Sequence, residues 1–214
     1  MKSGDSAKHA GLSDISKKSD DVAQYYDEWA NDYNETLMDW HYEAPSKIAS
    51  MLSSALSLQS SILDAGCGTG LSGNALIGAG FSSIDGIDVS DRSLEVASKS
   101  GAYNTLRVMD MQRLPLNIPD DCYQGLVCVG VLTYLTDSIS TLREFCRVTR
   151  PGGYVAMTQR SDLFAERLFQ DVLDTLVKER LIAEVHASEP QPYLPDNAEF
   201  GEEILVHYIG YRVV

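Results

Sequence analysis

The chain has 214 residues, a formal net charge of −14 at neutral pH and 44% hydrophobic residues, a size and make-up suited to one globular domain with a sizeable core. A surface so acidic repels phosphate backbones, so nucleic acid is not expected as a partner. Cys67, Cys122, Cys128 and Cys146 lack metal-ligand spacing, no apolar run approaches the roughly 18 residues of a membrane span, and no secretory segment opens the chain, so the expectation is a cytoplasmic, metal-free protein with reduced thiols, a monomer or weak dimer.

Residues 1–20 are polar and without periodicity and read as a disordered tail, with one domain over 21–214. "DDVAQYYDEWANDYNETL" is aromatic-rich and helical in character. "APSKIASMLSSAL" puts Ile48, Met51, Leu52, Ala55 and Leu56 on one helical face, and Pro45 suits a first turn. Alternation follows. "SILDAG" is a buried strand and "LSGNALIGAG" a helix closed by Gly80; "SIDGIDV" is a strand and "SDRSLEVASKSG" a helix capped by Ser90 and Gly101. "NTLRVMDM" and the wholly apolar "QGLVCVGVL" are strands, the second buried on both faces. "SISTLREFCRVTR" is a helix stopped by Pro151-Gly152-Gly153, "YVAMTQ" a strand, and 162–181 one long helix. "AEVHASEPQPY" and "EEILVHYIGYRVV" read as a closing pair of strands. Strands alternating with helices predict a mostly parallel α/β sheet covered on both faces.

Gly66, Gly68 and Gly70 stand at alternate positions between the first strand and its helix, at the sheet edge where ligands bind in such folds. Gly66 and Gly68 permit a tight turn and close approach to a ligand; Gly70 permits close helix packing. A glycine-rich turn without a ligand is the competing reading. Asp88 ends the second strand some 20 residues on, where an acid accepts both ribose hydroxyls of an adenosine; otherwise such an acid is a helix cap. The residues alone thus imply an adenosine-containing ligand without separating NAD from S-adenosylmethionine. Asp64, just before the glycines, opposes a pyrophosphate and suits a ligand carrying an ammonium and a sulfonium.

"ILDAGCGTG", "GIDVS", "VMDMQRLPL" and "RVTRPGG" together resemble the class I S-adenosylmethionine-dependent methyltransferases, over about residues 22–160. "YYDEWANDYNETL", "YEAP" and "ILDAGCGTGL" are similar to the small methyltransferase-like proteins of the Williams–Beuren region and their microbial relatives. The resemblance implies a single Rossmann-like domain with a seven-stranded sheet in the order 3-2-1-4-5-7-6, the last strand antiparallel. It also implies an N-terminal helical lid over 21–45, a cofactor-binding core over 61–160 and closing elements over 161–214. It assigns the loop of Gly66, Cys67, Gly68 and Gly70 to the methionine part of the cofactor, with Asp64 holding that loop. Asp88 goes to the ribose, with Val89 beside the adenine; Asp110 goes to the adenine amino group, with Met111 beside it; the carbonyls near Val129 and Gly130 go to the cofactor's amino group. Tyr25 and Tyr33 of the lid are assigned to the cofactor and Trp29 to the acceptor, although these aromatics also suit plain core packing. The family's Phe-Asp at the fourth strand is here Tyr123-Gln124, and its Leu-x-His is replaced by a segment offering Tyr134.

The cofactor carries the difficult chemistry in such a reaction, and the protein aligns the partners. No catalytic base stands out. Of four histidines, His41 lies nearest the lid, but a surface role is the plainer reading. The acceptor expected is a small molecule received by the lid, Thr133 and Tyr134, and Gln159, Arg160 and Ser161, with Tyr193 near the mouth. Arg160 suggests an anionic acceptor unless it pairs with Asp162 or Glu166. A non-catalytic S-adenosylmethionine-binding module, a protein or RNA methyltransferase and an NAD-dependent oxidoreductase are the alternatives.

Overall fold

The computed structural model describes residues 18–29, 37, 40–197 and 204–214. Helices α1 (Ser19–Trp29) and α2 (Ala44–Ala55) come first. Then come β1 (Ser61–Ala65), α3 (Leu71–Gly78), β2 (Ser83–Asp88), α4 (Asp91–Ser98), β3 (Thr105–Val108), β4 (Tyr123–Cys128), α5 (Ser138–Val148) and β5 (Thr149–Arg160). The chain closes with α6 (Ser161–Glu166), α7 (Phe169–Lys178), β6 (Ile182–Ala187), β7 (Gln191–Pro192) and β8 (Leu205–Val213). Most of the stretch read as a tail lies outside the described residues, but α1 starts at Ser19, inside it.

One mixed sheet runs β3-β2-β1-β4-β5-β8-β6, with β7 pairing on β8. β1 to β5 are parallel, and β8 is antiparallel to both β5 and β6. The expected order holds for the long strands. The sheet has eight strands rather than seven, because Gln191 and Pro192 pair with Val206 and Leu205.

The core follows from the two-residue period of buried strands. Leu63, Leu126 and Met157 face one side, with Phe145 of α5, Phe169 and Leu173 of α7, and Tyr211. Their neighbours Ile62, Val127 and Ala156 face the other, with Ile48 and Leu52 of α2 and Leu76 of α3. The residues that depart from the family pattern at β4 hold the sheet together. Tyr123 donates to Asp85 Oδ2 at 2.8 Å, and the Gln124 side-chain oxygen accepts from the Ser61 N–H at 2.8 Å.

The single helix expected over 162–181 is two. Leu168, at φ +48°, breaks the helical path between α6 and α7. The break places Arg167 where its guanidinium donates to the carbonyls of Leu132, Thr133 and Leu135, each at 2.8 Å. Those three bonds tie down the loop that follows β4. The fifth strand is also longer than expected, starting at Thr149 and taking in the Pro-Gly-Gly turn.

Candidate functional site

β1 runs into a turn whose three glycines all have left-handed φ, +81° at Gly66, +51° at Gly68 and +95° at Gly70. Each is glycine for its own reason. A Cβ on Gly66 would lie 2.3 Å from the Val131 side chain, and one on Gly70 would lie 3.2 Å from the Ala97 backbone of α4. A Cβ on Gly68 would meet nothing within 4 Å, because Gly68 borders an open cavity. The turn is pinned by the N–H groups of Gly66 and Cys67, both donating to the Ile87 carbonyl at 2.8 and 3.0 Å.

Asp64 lies fully buried beneath this turn. Its Oδ2 accepts from the Tyr103 hydroxyl at 2.7 Å, and that hydroxyl accepts from the Gly73 N–H at 3.0 Å. The Tyr103 ring fits because Gly73, Gly86 and Gly70 surround it; a Cβ at Gly73 would sit 2.3 Å from the ring. Asp64 Oδ1 has no hydrogen-bond partner among the described residues. Burial pushes the Asp64 carboxyl up to about 7, opposed by the Tyr103 bond and assisted by the nearby Asp88 charge.

Asp88 sits at the end of β2. Its Oδ2 accepts from the Gly68 N–H at 2.8 Å and its Oδ1 from the Ser90 N–H at 2.9 Å. Burial raises its carboxyl, and those backbone N–H bonds pull it back down. Asp110 follows β3. Its Oδ1 accepts from the Gln112 N–H at 2.9 Å, and its Oδ2 pairs with the exposed Arg113 at 3.1 Å.

The glycine turn, Cys67, Asp88, Val89, Asp110, Met111, Val129 and Gly130 all border one cavity that opens to solvent. It lies at the carboxyl edge of the central strands, where parallel α/β sheets bind ligands. Ser19 and Val22 of α1 cover it, and α1 is held to α4 by the Ser90 hydroxyl donating to Asp27 at 2.5 Å. Gly70 borders α4 rather than the cavity. Tyr25 is half-buried in α1, close enough to Tyr134 for a charge on one to raise the other. Tyr33 and the Trp29 side chain lie outside the described residues.

Under β4 and β5 the wall is aromatic. Tyr134, in the loop held by Arg167, is buried and lines the cavity with Tyr42. The Tyr42 and Tyr193 hydroxyls hydrogen-bond at 2.8 Å, their rings edge to face at 5.1 Å. Gly130 leaves the room: a Cβ there would come within 2.6 Å of the Tyr193 hydroxyl. The Gly130 N–H donates to Thr158 Oγ1 at 2.8 Å.

The remaining expected residues lie away from the cavity. The Arg160 guanidinium donates twice to Asp162, at 3.2 and 2.7 Å. His41 is exposed and paired with Asp196. Gln159 is buried, and neither of its amide atoms is hydrogen-bonded among the described residues. Among the described residues no group of His, Cys, Asp and Glu could hold a metal, and no helix is long and apolar enough to cross a membrane.

Tyr103 and Arg167 are the functional positions that sequence reasoning missed. Tyr103 sits outside every motif, and only the glycines at 70, 73 and 86, far apart in the chain, reveal its slot. Arg167 is legible only once the helix is known to break.

Residues 63–157 match a family model described as a methyltransferase domain. Human methyltransferase-like protein 27 is 32% identical over 172 residues, 78% of this chain and 68% of that protein. O-methyltransferase rstn1 of Aspergillus nomiae is 27% identical over 157 residues, 72% of this chain and 64% of that protein, so the chain spans less than two thirds of its length. In fold, a solved S-adenosylmethionine-dependent methyltransferase from Thermotoga maritima, titled a possible histamine N-methyltransferase, superposes with a TM-score of 0.62 at 16% identity, covering 89% of this chain and 98% of that one.

Proposed function

The chain belongs to the class I S-adenosylmethionine-dependent methyltransferases, and from that premise we propose that it methylates a small-molecule acceptor at O, N or S. S-adenosylmethionine is the methyl donor of the family, and when bound it supplies a methyl group already activated on a sulfonium, ready for in-line displacement by a lone pair. The observation that carries the reading is the cavity itself: it opens over Gly68, is bordered by the carboxylates of Asp88 and Asp110, and has no Lys, Arg or His among its described lining residues. Such a lining suits hydroxyl, amine and sulfonium groups and opposes a pyrophosphate.

In this reading Gly66, Cys67 and Gly68 lie along the methionine part, with the backbone of Gly68 in close approach. Asp88 accepts from the ribose hydroxyls with the lone pairs that Gly68 and Ser90 leave free. Val89 and Met111 flank the adenine, Asp110 accepts from its amino group, and the Val129 carbonyl receives the amino group of the methionine part. Asp64, buried beneath the turn, is tied through Tyr103 to the Gly73 N–H of α3 and supports the turn from below rather than by reaching the ligand. Tyr25 meets the cofactor and Tyr134 closes the acceptor end, excluding water; the Trp29 side chain and Tyr33, assigned to acceptor and cofactor from the sequence, lie outside the described residues. Arg160 is left out of the acceptor's contacts, since its guanidinium is already bound to Asp162.

The small-molecule part rests on the cavity's cover by α1 and the negative charge of the chain, which disfavours nucleic acid. The free cysteines support a reducing compartment, for which we propose the cytoplasm. The test is incubation with methyl-labelled S-adenosylmethionine and a metabolite extract, followed by separation by size. Label in the small-molecule fraction supports the reading. Label on protein or RNA, or binding without transfer, refutes it.

A further inference from the structure

The loop that leaves β4, residues 131–135, touches both halves of the site. At one end Val131 packs against the glycine turn, so closely that a Cβ on Gly66 would lie 2.3 Å from its side chain. At the other end Tyr134 and Leu135 line the cavity. Every carbonyl of the loop accepts a hydrogen bond. That of Val131 accepts from the Tyr134 N–H at 2.9 Å, and that of Tyr134 from the Gln112 side chain at 3.4 Å. The other three, of Leu132, Thr133 and Leu135, all accept from the Arg167 guanidinium at 2.8 Å.

Arg143, Arg147, Arg160 and Arg212 are each bound to a carboxylate. Arg167 differs in giving its three short bonds to the carbonyls of one loop. The planar fork of a guanidinium suits this: one terminal nitrogen donates to Leu132 and Leu135, the other to Thr133. The chain is strained to place it there. Leu168, the next residue, has φ +48°, a left-handed conformation that residues other than glycine disfavour. Its own side chain is 64% exposed, so it gains no burial in return. The strained break seats Phe169 in the core and turns Arg167 onto the loop. Strain of this kind, held beside a ligand site, is a sign of function.

We infer that Arg167 is a positioning residue for methyl transfer: through the carbonyls of the loop after β4 it fixes Tyr134 against the acceptor, in register with the glycine turn that Val131 touches. Arg167 itself meets neither cofactor nor acceptor. Its effect on the reaction passes through Tyr134, so the two residues act as one unit. In-line transfer depends on the distance between nucleophile and methyl group, and a small displacement of the wall behind the acceptor is enough to slow it. The inference rests on the small-molecule methyltransferase reading and adds to it the residue that sets the acceptor end.

The experiment is a double-mutant cycle on the full chain with Arg167→Met, Tyr134→Ala and the pair. Each protein is titrated with S-adenosylhomocysteine by calorimetry, then assayed for label passed from methyl-labelled S-adenosylmethionine to the small molecules of a metabolite extract. Arg167→Met should slow labelling about tenfold or more. It should keep one S-adenosylhomocysteine site per chain, with affinity within about twofold of the natural protein, and it should slow labelling by less than about twofold in the Tyr134→Ala background. Arg167→Lys, whose ammonium does not fork across the three carbonyls, should label at an intermediate rate, and it replaces Arg167→Met in the cycle if that variant does not fold. An additive loss in the double variant, a loss of rate matched by a loss of S-adenosylhomocysteine sites, or an unchanged rate in Arg167→Met overturns the inference while leaving the methyltransferase reading intact. No labelling of small molecules by the natural protein removes both.

Discussion

The backbone N–H of Gly68 donates to Asp88 Oδ2 at 2.8 Å, linking the turn after β1 to the end of β2. The Ser90 N–H takes the other oxygen at 2.9 Å. A carboxylate accepts about four hydrogen bonds, so Asp88 fixes the turn and still has capacity for a ligand. The two duties share one side chain, and its removal affects both.

Asp88→Ala should therefore weaken S-adenosylhomocysteine binding by about 10- to 100-fold, the loss of charge-assisted hydrogen bonds worth roughly 1.5–3 kcal/mol. Asp88→Asn should fall between, because only one side-chain oxygen remains as an acceptor. Calorimetric titration of the folded variants reads this out. Unchanged affinity in Asp88→Ala would remove the ribose assignment.

Gly68 and Gly66 should respond differently to the same methyl group. Gly68→Ala puts its Cβ into the cavity at φ +51°, so it should abolish much of the cofactor affinity at a stability cost on the order of 1 kcal/mol. Gly66→Ala collides with Val131 and should cost more stability. Adding Val131→Ala should recover part of that loss for Gly66→Ala and none for Gly68→Ala. Paired denaturation and binding curves test the pattern; equal rescue of both variants would count against it.

The contrast shows what the sequence could reveal. The alternation of strands and helices and the glycine turn with Asp64 and Asp88 are local patterns, so they could be read directly. The pairing of Arg160 with Asp162 was visible as one of two options, and only geometry separates them. The slot for Tyr103 depends on glycines from three separate elements, and the split at Leu168 occurs without Gly or Pro to mark it. Long-range packing of this kind leaves no local signature.

Tyr103→Phe keeps the ring in its slot and deletes the bonds to Asp64 and Gly73. It should destabilise the fold by about 1–3 kcal/mol, because a buried acceptor and a backbone donor lose their partner. Urea denaturation measures it. A difference below about 0.5 kcal/mol would mean the hydroxyl is dispensable.

Asp64 should make stability depend on pH. Its folded pKa, about 7, exceeds the ordinary value of 3.8, so the folded state holds a proton that the unfolded chain has lost in between. Its contribution is full below pH 3.8 and disappears as pH rises through about 7. Relative to Asp64→Asn, the natural protein should lose melting temperature as pH rises from 3.8 to about 7, and change little above that. Parallel curves for the two proteins across that window would rule out the buried, protonatable state.

Helix α1 covers the cavity with Ser19 and Val22, and its tie to the body includes Asp27 and Ser90. Cofactor binding beneath it should slow amide exchange over residues 19–29 and 40–43 while leaving β6 unchanged. Hydrogen-exchange mass spectrometry with and without S-adenosylhomocysteine is the check. Identical exchange over 19–29 in both states would show that α1 does not act as a lid.

The most direct test of the cavity's role is a calorimetric titration of the natural protein with S-adenosylmethionine, followed by the same titration in the presence of NAD. One site of micromolar affinity, undisturbed by NAD and lost in Gly68→Val, is the result expected of a glycine turn bordered by carboxylates. NAD binding with no heat from S-adenosylmethionine, or S-adenosylmethionine affinity unchanged in folded Gly68→Val, would contradict it.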